Sequence, residues 1–344
     1  MFTKIDAYVI LSAENRFYYT GFMSSFGCVI ITAKAKYFIT DPRYAAEARK
    51  SVEGFTILTT NGSAFYDDIV KVLKKEDAKT VGYEDSFVTV AGFKKLKAAL
   101  SDFTLKAASS VFDDLRLIKS EEEIQKVAAA EIVTQKALLK TLPLLKAGVS
   151  EKDISNEITY QMLSLGAEEL AFENIVAFGV NTANPHHHPS LKKLEKNEMV
   201  TFDIGARVNG YCGDMTRTFC FGKPDEKLAK IHNIVLEAQK YALNNIKAGM
   251  SGREAHLLAS EYITANGYGN EFTHSLGHGI GIVVHEGPYM APRSEDILKE
   301  NMIVSVEPGI YVDGFGGARI EDIVVVKNDG VVNLTTMVDK GISL

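Results

Sequence analysis

The chain contains the turn Lys146-Ala147-Gly148-Val149-Ser150 and repeats it as Lys247-Ala248-Gly249-Met250-Ser251. A long amphipathic helical pattern precedes each copy of this turn, and a second helix follows it. That second helix has a serine cap, an acidic partner three residues on and a terminating glycine: Ser150, Asp153 and Gly166 in the first copy, Ser251, Glu254 and Gly267 in the second. Strand patterns then close both copies. Because two helices and an antiparallel sheet occur twice, the sequence predicts an α+β domain with an internal pseudo-twofold repeat and a central crevice.

The part of the chain before the repeat has the pattern of a smaller α/β domain. Short apolar runs predict strands at residues 8–11, 28–32, 37–40, 56–59, 80–83 and 104–107. Asp41 starts a helix that runs through Lys50. This part gathers neither metal ligands nor a nucleophile with a base, so we interpret it as a domain for packing and oligomerisation.

The pattern changes around residues 112–119, where we place the domain boundary. Ser120 and Glu123 make a capping box that begins a long helix running towards Lys146. The sequence therefore predicts an N-terminal domain at residues 1–118 and a second domain at residues 119–344.

Composition excludes several classes of protein. The 344 residues contain 38 Lys and Arg against 44 Asp and Glu, a formal net charge of −6, which does not favour a nucleic-acid partner. The three cysteines form no C-x-x-C pair, so neither a disulfide framework nor a thiolate zinc site is indicated. No basic segment followed by an apolar one begins the chain, and no apolar run approaches the roughly 18 residues of a membrane span. We expect a cytoplasmic protein that does not interact with a membrane.

Two aspartates come together in the closing strands of the first copy. Asn209-Gly210 is a strong signal for a two-residue hairpin turn. If the residues on either side of this turn pair, the same register places Asp203 opposite Thr216. Asp214 then lies on the same face, within reach of the Asp203 carboxylate.

The second copy supplies two further carboxylates around the glycine-rich turn at residues 313–317. Glu307 takes the place of Asp203, and Glu321 takes the place of Asp214. Four converging carboxylates repel one another and lose hydration, so they need compensation. Two divalent cations would supply it.

Histidines lie between and beside these carboxylates. The glycine-rich segment 273–281 contains His274 and His278, and His285 follows it. Each of these alone would be expected as a buried structural histidine, but an oxygen-rich ligand set with one imidazole suits Mn²⁺, Co²⁺, Fe²⁺ or Zn²⁺. The residues do not choose among these metals.

Two further features complete the candidate site. The histidine run 186–188 is either a solvated loop or, through His186, a contact to substrate or proton. Arg319 stands beside Glu321, and we interpret it as a guanidinium that orients a carboxylate rather than as a substrate clamp.

Other catalytic signatures are missing. His285-Glu286 lacks the second histidine of H-E-x-x-H, because Tyr289 stands in its place. No G-x-S-x-G elbow, Walker-A loop or G-x-G-x-x-G fingerprint occurs.

The ligand set and its flanking motifs resemble those of the dinuclear metallopeptidases of the pita-bread fold. The motifs are Phe-Asp-Ile-Gly, Gly-His-Gly-Ile-Gly, Val-Glu-Pro-Gly-Ile-Tyr and Arg-Ile-Glu-Asp, and the ligands within or beside them are Asp203, Asp214, His278, Glu307 and Glu321. The similarity is greatest to the proline-specific branch, which comprises Xaa-Pro aminopeptidase and Xaa-Pro dipeptidase (prolidase). The N-terminal third resembles the creatinase-like domain of this branch, which takes part in oligomerisation and covers the active site.

The resemblance implies a role for each residue of the site. One metal is bound by Asp214, His278, Glu307 and Glu321, and the other by Asp203, Asp214 and Glu321, with manganese favoured. Glu307 also acts as general base on the shared water. His186, His274 and His285 contact the substrate or stabilise the tetrahedral intermediate. Two such metals lower the pKa of a shared water, so no covalent nucleophile is needed. The family also implies a homodimer.

Substrate length depends on one departure from the family pattern. Some prolidases have an arginine four residues after the histidine that matches His285, where it holds the carboxylate of the dipeptide. Here that residue is Tyr289, with Arg293 nearby as a substitute. We therefore favour an Xaa-Pro aminopeptidase acting on peptides with proline at the second position, with Xaa-Pro dipeptidase as the alternative. A methionine aminopeptidase, a creatinase-like amidinohydrolase and a non-enzymatic pita-bread binding module stay open as weaker interpretations.

Overall fold

The computed structural model describes residues 4–344 and contains two compact units, one up to Leu115 and one from Arg116 onward. The division falls inside the helix Ser109–Leu117, three residues before the boundary expected at residue 118. This helix ends shortly before Ser120, the residue that caps the next helix. No helix among residues 4–344 is both long enough and apolar enough to cross a lipid bilayer.

The first unit is a six-stranded mixed sheet with helices on both faces. Its elements are β1 Ala7–Ile10, α1 Ala13–Thr20, β2 Cys28–Thr32, β3 Lys36–Thr40, α2 Pro42–Ser51, β4 Thr56–Thr59, α3 Phe65–Lys75, β5 Thr80–Tyr83, α4 Val90–Ala99, β6 Thr104–Ala107 and α5 Ser109–Leu117. The strand order is β4-β3-β2-β1-β5-β6. Alternate residues of β1 enter two separate cores, Val9 with α3 and α4 on one face and Tyr8 with α2 and α5 on the other. The predicted α/β domain is confirmed.

The second unit consists of helices packed on antiparallel sheets. Its elements are α6 Glu121–Thr141, α7 Glu151–Ser164, β7 Glu169–Leu170, β8 Ile175–Phe178, β9 Glu198–Ile204, β10 Ala206–Val208, β11 Tyr211–Cys212, β12 Met215–Phe221, α8 Glu226–Asn245, α9 Gly252–Ala265, β13 Gly277–Gly279, β14 Glu286–Met290, β15 Ile303–Val306, β16 Gly309–Val312, β17 Gly316–Arg319, β18 Asp322–Lys327 and β19 Gly330–Asn333. The first copy contributes the sheet β12-β9-β8, and the second contributes β14-β13-β15-β18-β19. Each sheet packs on the helix pair of its own copy and forms its own apolar core.

The repeat predicted from sequence is present in detail. Capping boxes begin α7 and α9, as expected. Gly148 and Gly249 take left-handed φ angles of 91° and 92°, and their amides donate to the carbonyls of Leu194 at 2.9 Å and Leu298 at 2.8 Å. The helix α6 is shorter than expected and ends at Thr141, because Pro143 lacks an amide donor and clashes with the preceding turn.

The strand register brings the carboxylates together, with one difference between the copies. Asp203 pairs with Thr216, as the Asn209-Gly210 turn predicted. In the second copy Val306 pairs with Asp322, and the same register places Glu307 directly opposite Glu321. The aspartates are therefore diagonal neighbours while the glutamates are directly opposed, so the two pairs are not strictly equivalent.

Gly277 provides a test of how closely the strands approach beside the site. A Cβ at this position would lie 2.1 Å from the Ser305 carbonyl oxygen, whereas a Cβ at Gly330 would meet nothing within 4 Å. We expect G277A to lower the free energy of unfolding by about 1–3 kcal/mol, and G330A to change it by less than about 0.5 kcal/mol. Urea unfolding of the two variants measures this, and equal stabilities would contradict the packing described.

Candidate metal centre

A cavity of about 710 Å³ in the second unit collects most of the residues predicted to form the site. The predicted residues that line it are His186, Asp203, Asp214, His274, His278, His285, Glu307, Arg319 and Glu321. Arg293 is exposed and is not among the lining residues, whereas Tyr289 is. The structure therefore does not bring Arg293 to the cavity, because it follows Tyr289 on the chain segment that leaves β14.

The centre of the cavity is a buried cluster of carboxylates around one imidazole. Ligand atoms of Asp214, His278 and Glu321 all lie within 4.8 Å of one another. His278 Nε2 is 3.3 Å from Glu307 Oε1 and 3.8 Å from Asp214 Oδ2. The ring can accept a metal at this nitrogen, because its Nδ1 donates to the Gly279 carbonyl at 3.1 Å.

The ligands are carried by strands or by residues next to strands. Asp203 and His278 belong to β9 and β13, and Asp214 immediately precedes β12. Glu307 follows β15, and Glu321 lies between β17 and β18. Positions on paired strands are held rigidly, which is what a metal site requires of its ligands.

The donor set fits divalent cations. Asp203 Oδ1 and Glu321 Oε1 are buried and have no hydrogen-bond partner, an arrangement that costs free energy unless a cation satisfies them. Burial, followed by the charges of the neighbouring carboxylates, raises the pKa values of Asp214 and Glu321 well above their ordinary values. Burial lowers the pKa of His278, so the ring is neutral and ready to ligate.

Arg319 contacts the carboxylate of Asp203 rather than that of Glu321. Its Nη2 donates to Asp203 Oδ2 at 2.6 Å, its Nη1 to the Tyr311 hydroxyl at 2.6 Å and its Nε to Thr216 Oγ1 at 3.1 Å. The guanidinium thus fixes one oxygen of Asp203 and leaves the other directed into the cavity. With these three bonds made, Arg319 is engaged with the protein.

His274 is held by hydrogen bonds at both ring nitrogens. Nδ1 donates to the Ser275 carbonyl at 2.8 Å, and Nε2 lies 2.9 Å from the Tyr311 hydroxyl. Because Tyr311 accepts from Arg319, its own proton goes to His274 Nε2. Burial and the Arg319 charge lower the pKa of His274 to about 4. The sequence analysis missed the role of Tyr311, although it follows Glu307 within the quoted Val-Glu-Pro-Gly-Ile-Tyr motif.

The histidine run 186–188 is held in place by hydrogen bonds to Glu151, a residue that the sequence analysis did not identify. Glu151, the first residue of α7, accepts from five donors: Phe178 N at 2.8 Å, Asn181 Nδ2 at 2.8 Å, His187 Nε2 at 2.8 Å, Ser190 N at 2.9 Å and Ser190 Oγ at 2.6 Å. Burial raises the pKa of Glu151, but these bonds outweigh burial and leave it below its ordinary value. His186, exposed beside this anchor, faces the cavity.

Two more buried acids, Glu131 and Glu286, lie next to residues of the cluster and its histidines. Glu131 Oε1 accepts from the Asp214 amide at 2.6 Å, and burial raises the pKa of Glu131 to about 8. Glu286, next to His285, accepts from the fully buried Lys119 at 2.7 Å. The His285 ring lies against the His278 ring with centroids 4.2 Å apart. The sequence analysis named Glu286 only within an incomplete H-E-x-x-H motif and did not name Glu131, so the contacts of both acids are seen only in the folded structure.

Comparison with known proteins identifies the family and the fold of the chain. Residues 3–118 match the Creatinase/Prolidase N-terminal domain, and residues 125–328 match metallopeptidase family M24. The chain therefore belongs to metallopeptidase family M24. The structure of an Xaa-Pro dipeptidase from Bacillus anthracis is 40% identical, with a TM-score of 0.95 over 99% of this chain and 95% of that one. An X-Pro aminopeptidase from Thermotoga maritima MSB8 is 36% identical, with a TM-score of 0.94 over 99% and 98%. The Xaa-Pro dipeptidase of Pyrococcus furiosus is 36% identical over 334 residues, 96% of this chain and 94% of the relative.

The raised carboxylate pKa values predict how the stability of the metal-free protein depends on pH. Burial raises the pKa of Glu307 from 4.5 to about 8. The folded chain then holds protons that the unfolded chain has released, so the free energy of unfolding falls as pH rises through this range. Histidines with lowered pKa values act in the opposite sense below their ordinary value of 6.5. The decrease in the free energy of unfolding should therefore be clear between about pH 6.5 and pH 8.

Thermal unfolding in the presence of a chelator measures this dependence. As pH rises, the free energy of unfolding of E307Q should decrease less steeply than that of the wild type, and the control E122Q should match the wild type. Saturating Mn²⁺ should abolish the decrease. Stability that stays constant or rises over this interval without metal would contradict the electrostatics described.

Proposed function

We propose that this M24 metallopeptidase is an Xaa-Pro dipeptidase with two divalent metal ions at its active centre, manganese favoured. The observation that carries the proposal is that the buried Asp214, His278 and Glu321 cluster lies in a chain similar over nearly its whole length to proteins described as Xaa-Pro dipeptidases. The sequence alone favoured the aminopeptidase. The relatives favour the dipeptidase, and we follow them.

The ligands divide between two metal positions as the family resemblance implies. Asp214 and Glu321, the most buried of the four carboxylates, would contribute to both positions. Asp203 would complete one position, and His278 with Glu307 would complete the other. The metals would supply a water of lowered pKa and polarise the scissile carbonyl. The arrangement of Asp203 supports this division, because Arg319 occupies one of its oxygens and the other has no partner.

We assign the transfer of the proton during hydrolysis to Glu307. Its Oε1 accepts from Ser305 Oγ at 3.0 Å and lies beside the His278 ring. In the proposed reaction Glu307 takes a proton from the attacking water and delivers it to the proline nitrogen that leaves. Among the described residues that line the cavity there is no cysteine or lysine, and Ser275 is the one serine. The reaction we propose uses no covalent nucleophile.

The histidines differ in what they can offer a substrate. His274 uses both ring nitrogens within the protein, so as a neutral imidazole it serves to hold Tyr311 and Arg319 in place. His186 and His285 line the cavity and are exposed. We assign to these two the contacts with the substrate carbonyl and its tetrahedral intermediate.

An Xaa-Pro aminopeptidase is the second candidate, and a specific observation favours it. A dipeptidase needs a cation for the carboxylate of its substrate, and among the described lining residues the only arginine or lysine is Arg319, which is bound to Asp203. Arg293 is exposed outside the lining. In a dipeptidase, the histidines of the cavity would have to hold that carboxylate.

The proposal also covers the cellular compartment and the oligomeric state of the protein. The three cysteines are buried and free, which supports a reducing, cytoplasmic setting. A homodimer is proposed from the family resemblance. Sedimentation of the metal-loaded protein measures the assembly.

Hydrolysis of a matched substrate pair tests the proposed function. Chelator-stripped protein should cleave an Xaa-Pro dipeptide after addition of Mn²⁺, and cleave an Xaa-Pro-Xaa tripeptide far more slowly. E307Q should lose at least about 100-fold in kcat while retaining its fold, because general-base catalysis is worth that much. Cleavage of the tripeptide in preference would establish the aminopeptidase instead. Cleavage only of initiator-methionine peptides, or of none of these with Mn²⁺, Co²⁺ or Zn²⁺, would overturn the proline assignment.

A further inference from the structure

One wall of the cavity belongs neither to the metal ligands nor to the histidines. It consists of residues 172–175, the segment that leads into β8, and all four residues line the cavity. We call this segment the β8 wall.

The strand pairing places one side chain of the β8 wall next to Asp203. Ile175 is the cross-strand partner of Asp203, so the two side chains lie on the same face. Asn174 points the other way, because it is buried and its Nδ2 donates to Ser155 O at 3.3 Å and to Thr159 Oγ1 at 3.0 Å on α7. Glu173 also lines the cavity, beside His188 of the histidine run, which lines it too.

Phe172 completes an apolar surface beside Asp203. A Cβ at Gly205 would lie 2.6 Å from Phe172 Cε1, so the phenyl ring lies over Gly205, two residues beyond Asp203. Phe172 and Ile175 thus flank the aspartate with apolar surface. The Glu173 carboxylate lies next to this surface, with its side chain 66% exposed.

Glu173 is a negative charge that the metal centre does not use. Arg319 pairs with Asp203 of the metal cluster, and bound cations would compensate the other carboxylates, whereas the Glu173 carboxylate lies against His188, its Oε2 being 3.3 Å from His188 Nδ1. The His188 side chain is 82% exposed, and a pair this exposed contributes little free energy. A ligand with a stronger cation can displace it.

We propose that the β8 wall is the subsite for the side chain of the Xaa residue, and that it favours lysine and arginine. In the proposed reaction the carbonyl group of that residue would lie at the carboxylate cluster, so its side chain would begin beside Asp203 and extend along the wall. The methylene groups pack on Phe172 and Ile175, and the cationic end pairs with Glu173. This inference rests on the proposed function and names the substrate class for it.

Dipeptides that differ only in the cation test the subsite. Lys-Pro and norleucine-Pro have nearly the same stem, so the ratio of their kcat/KM values isolates the contribution of the ammonium group. The wild type should prefer Lys-Pro, and E173Q should lower the ratio about 3- to 5-fold, mainly through the KM of Lys-Pro. Glu195 is exposed and is not among the lining residues, so E195Q provides the matched control for loss of one negative charge.

A second variant acts in the opposite direction. H188N removes the competitor for Glu173 and should raise the ratio, and added salt should lower the ratio in the wild type but not in E173Q. An unchanged ratio in E173Q, or equal losses for both dipeptides, would overturn the subsite.

Binding of free lysine and norleucine, measured by calorimetry on the Mn²⁺-loaded protein, separates this inference from the proposed function. Tighter binding of lysine that E173Q abolishes would support the subsite even if neither dipeptide were hydrolysed. Equal binding of the two amino acids would overturn the subsite even if both dipeptides were cleaved.

Discussion

The repulsion among four carboxylates in one cavity is the constraint on which the site depends. Asp203, Asp214, Glu307 and Glu321 come from two hairpins, and two of their fully buried oxygens, Asp203 Oδ1 and Glu321 Oε1, have no hydrogen-bond partner. Burial, and after it this repulsion, raises the pKa values of Asp214 and Glu321 well above their ordinary values, so in the absence of cations these carboxylates take up protons. Divalent cations remove the repulsion without protons, so metal binding and a well-ordered site are one event.

A network of buried polar residues fixes the orientation of the metal-ligand residues by hydrogen bonds. The fully buried Arg217 donates to the Glu321 carbonyl at 2.6 Å and pairs with Asp322 at 2.9 Å. Glu131 holds the backbone of Asp214, and Arg319 holds one oxygen of Asp203. Each contact fixes a ligand by its backbone or by its second oxygen, and so leaves the coordinating atom free. The twofold repeat supplies the two hairpins, and the hydrogen bonds of this network connect the hairpins within one site.

Much of this was predictable from sequence because local signals determined it. The Asn209-Gly210 turn determined the pairing of Asp203 with Thr216, and serine capping boxes determined where α7 and α9 begin. What the sequence did not reveal depends on contacts between distant segments. Glu151 holds His187 across the fold, Tyr311 connects Arg319 to His274, and Arg293 lies outside the cavity. No turn or periodicity encodes these contacts, because each joins segments that are far apart in sequence within one copy of the repeat.

The most direct test of this account is the number of metal ions that the protein binds. Chelator-stripped protein is titrated with Mn²⁺, and bound metal is measured by equilibrium dialysis with elemental analysis. The account predicts two ions per chain for the wild type and loss of both in a Glu321→Gln variant that keeps its fold, because this carboxylate would bridge the two positions. A wild type that binds one ion or none, or a Glu321→Gln variant that still binds two, would contradict it.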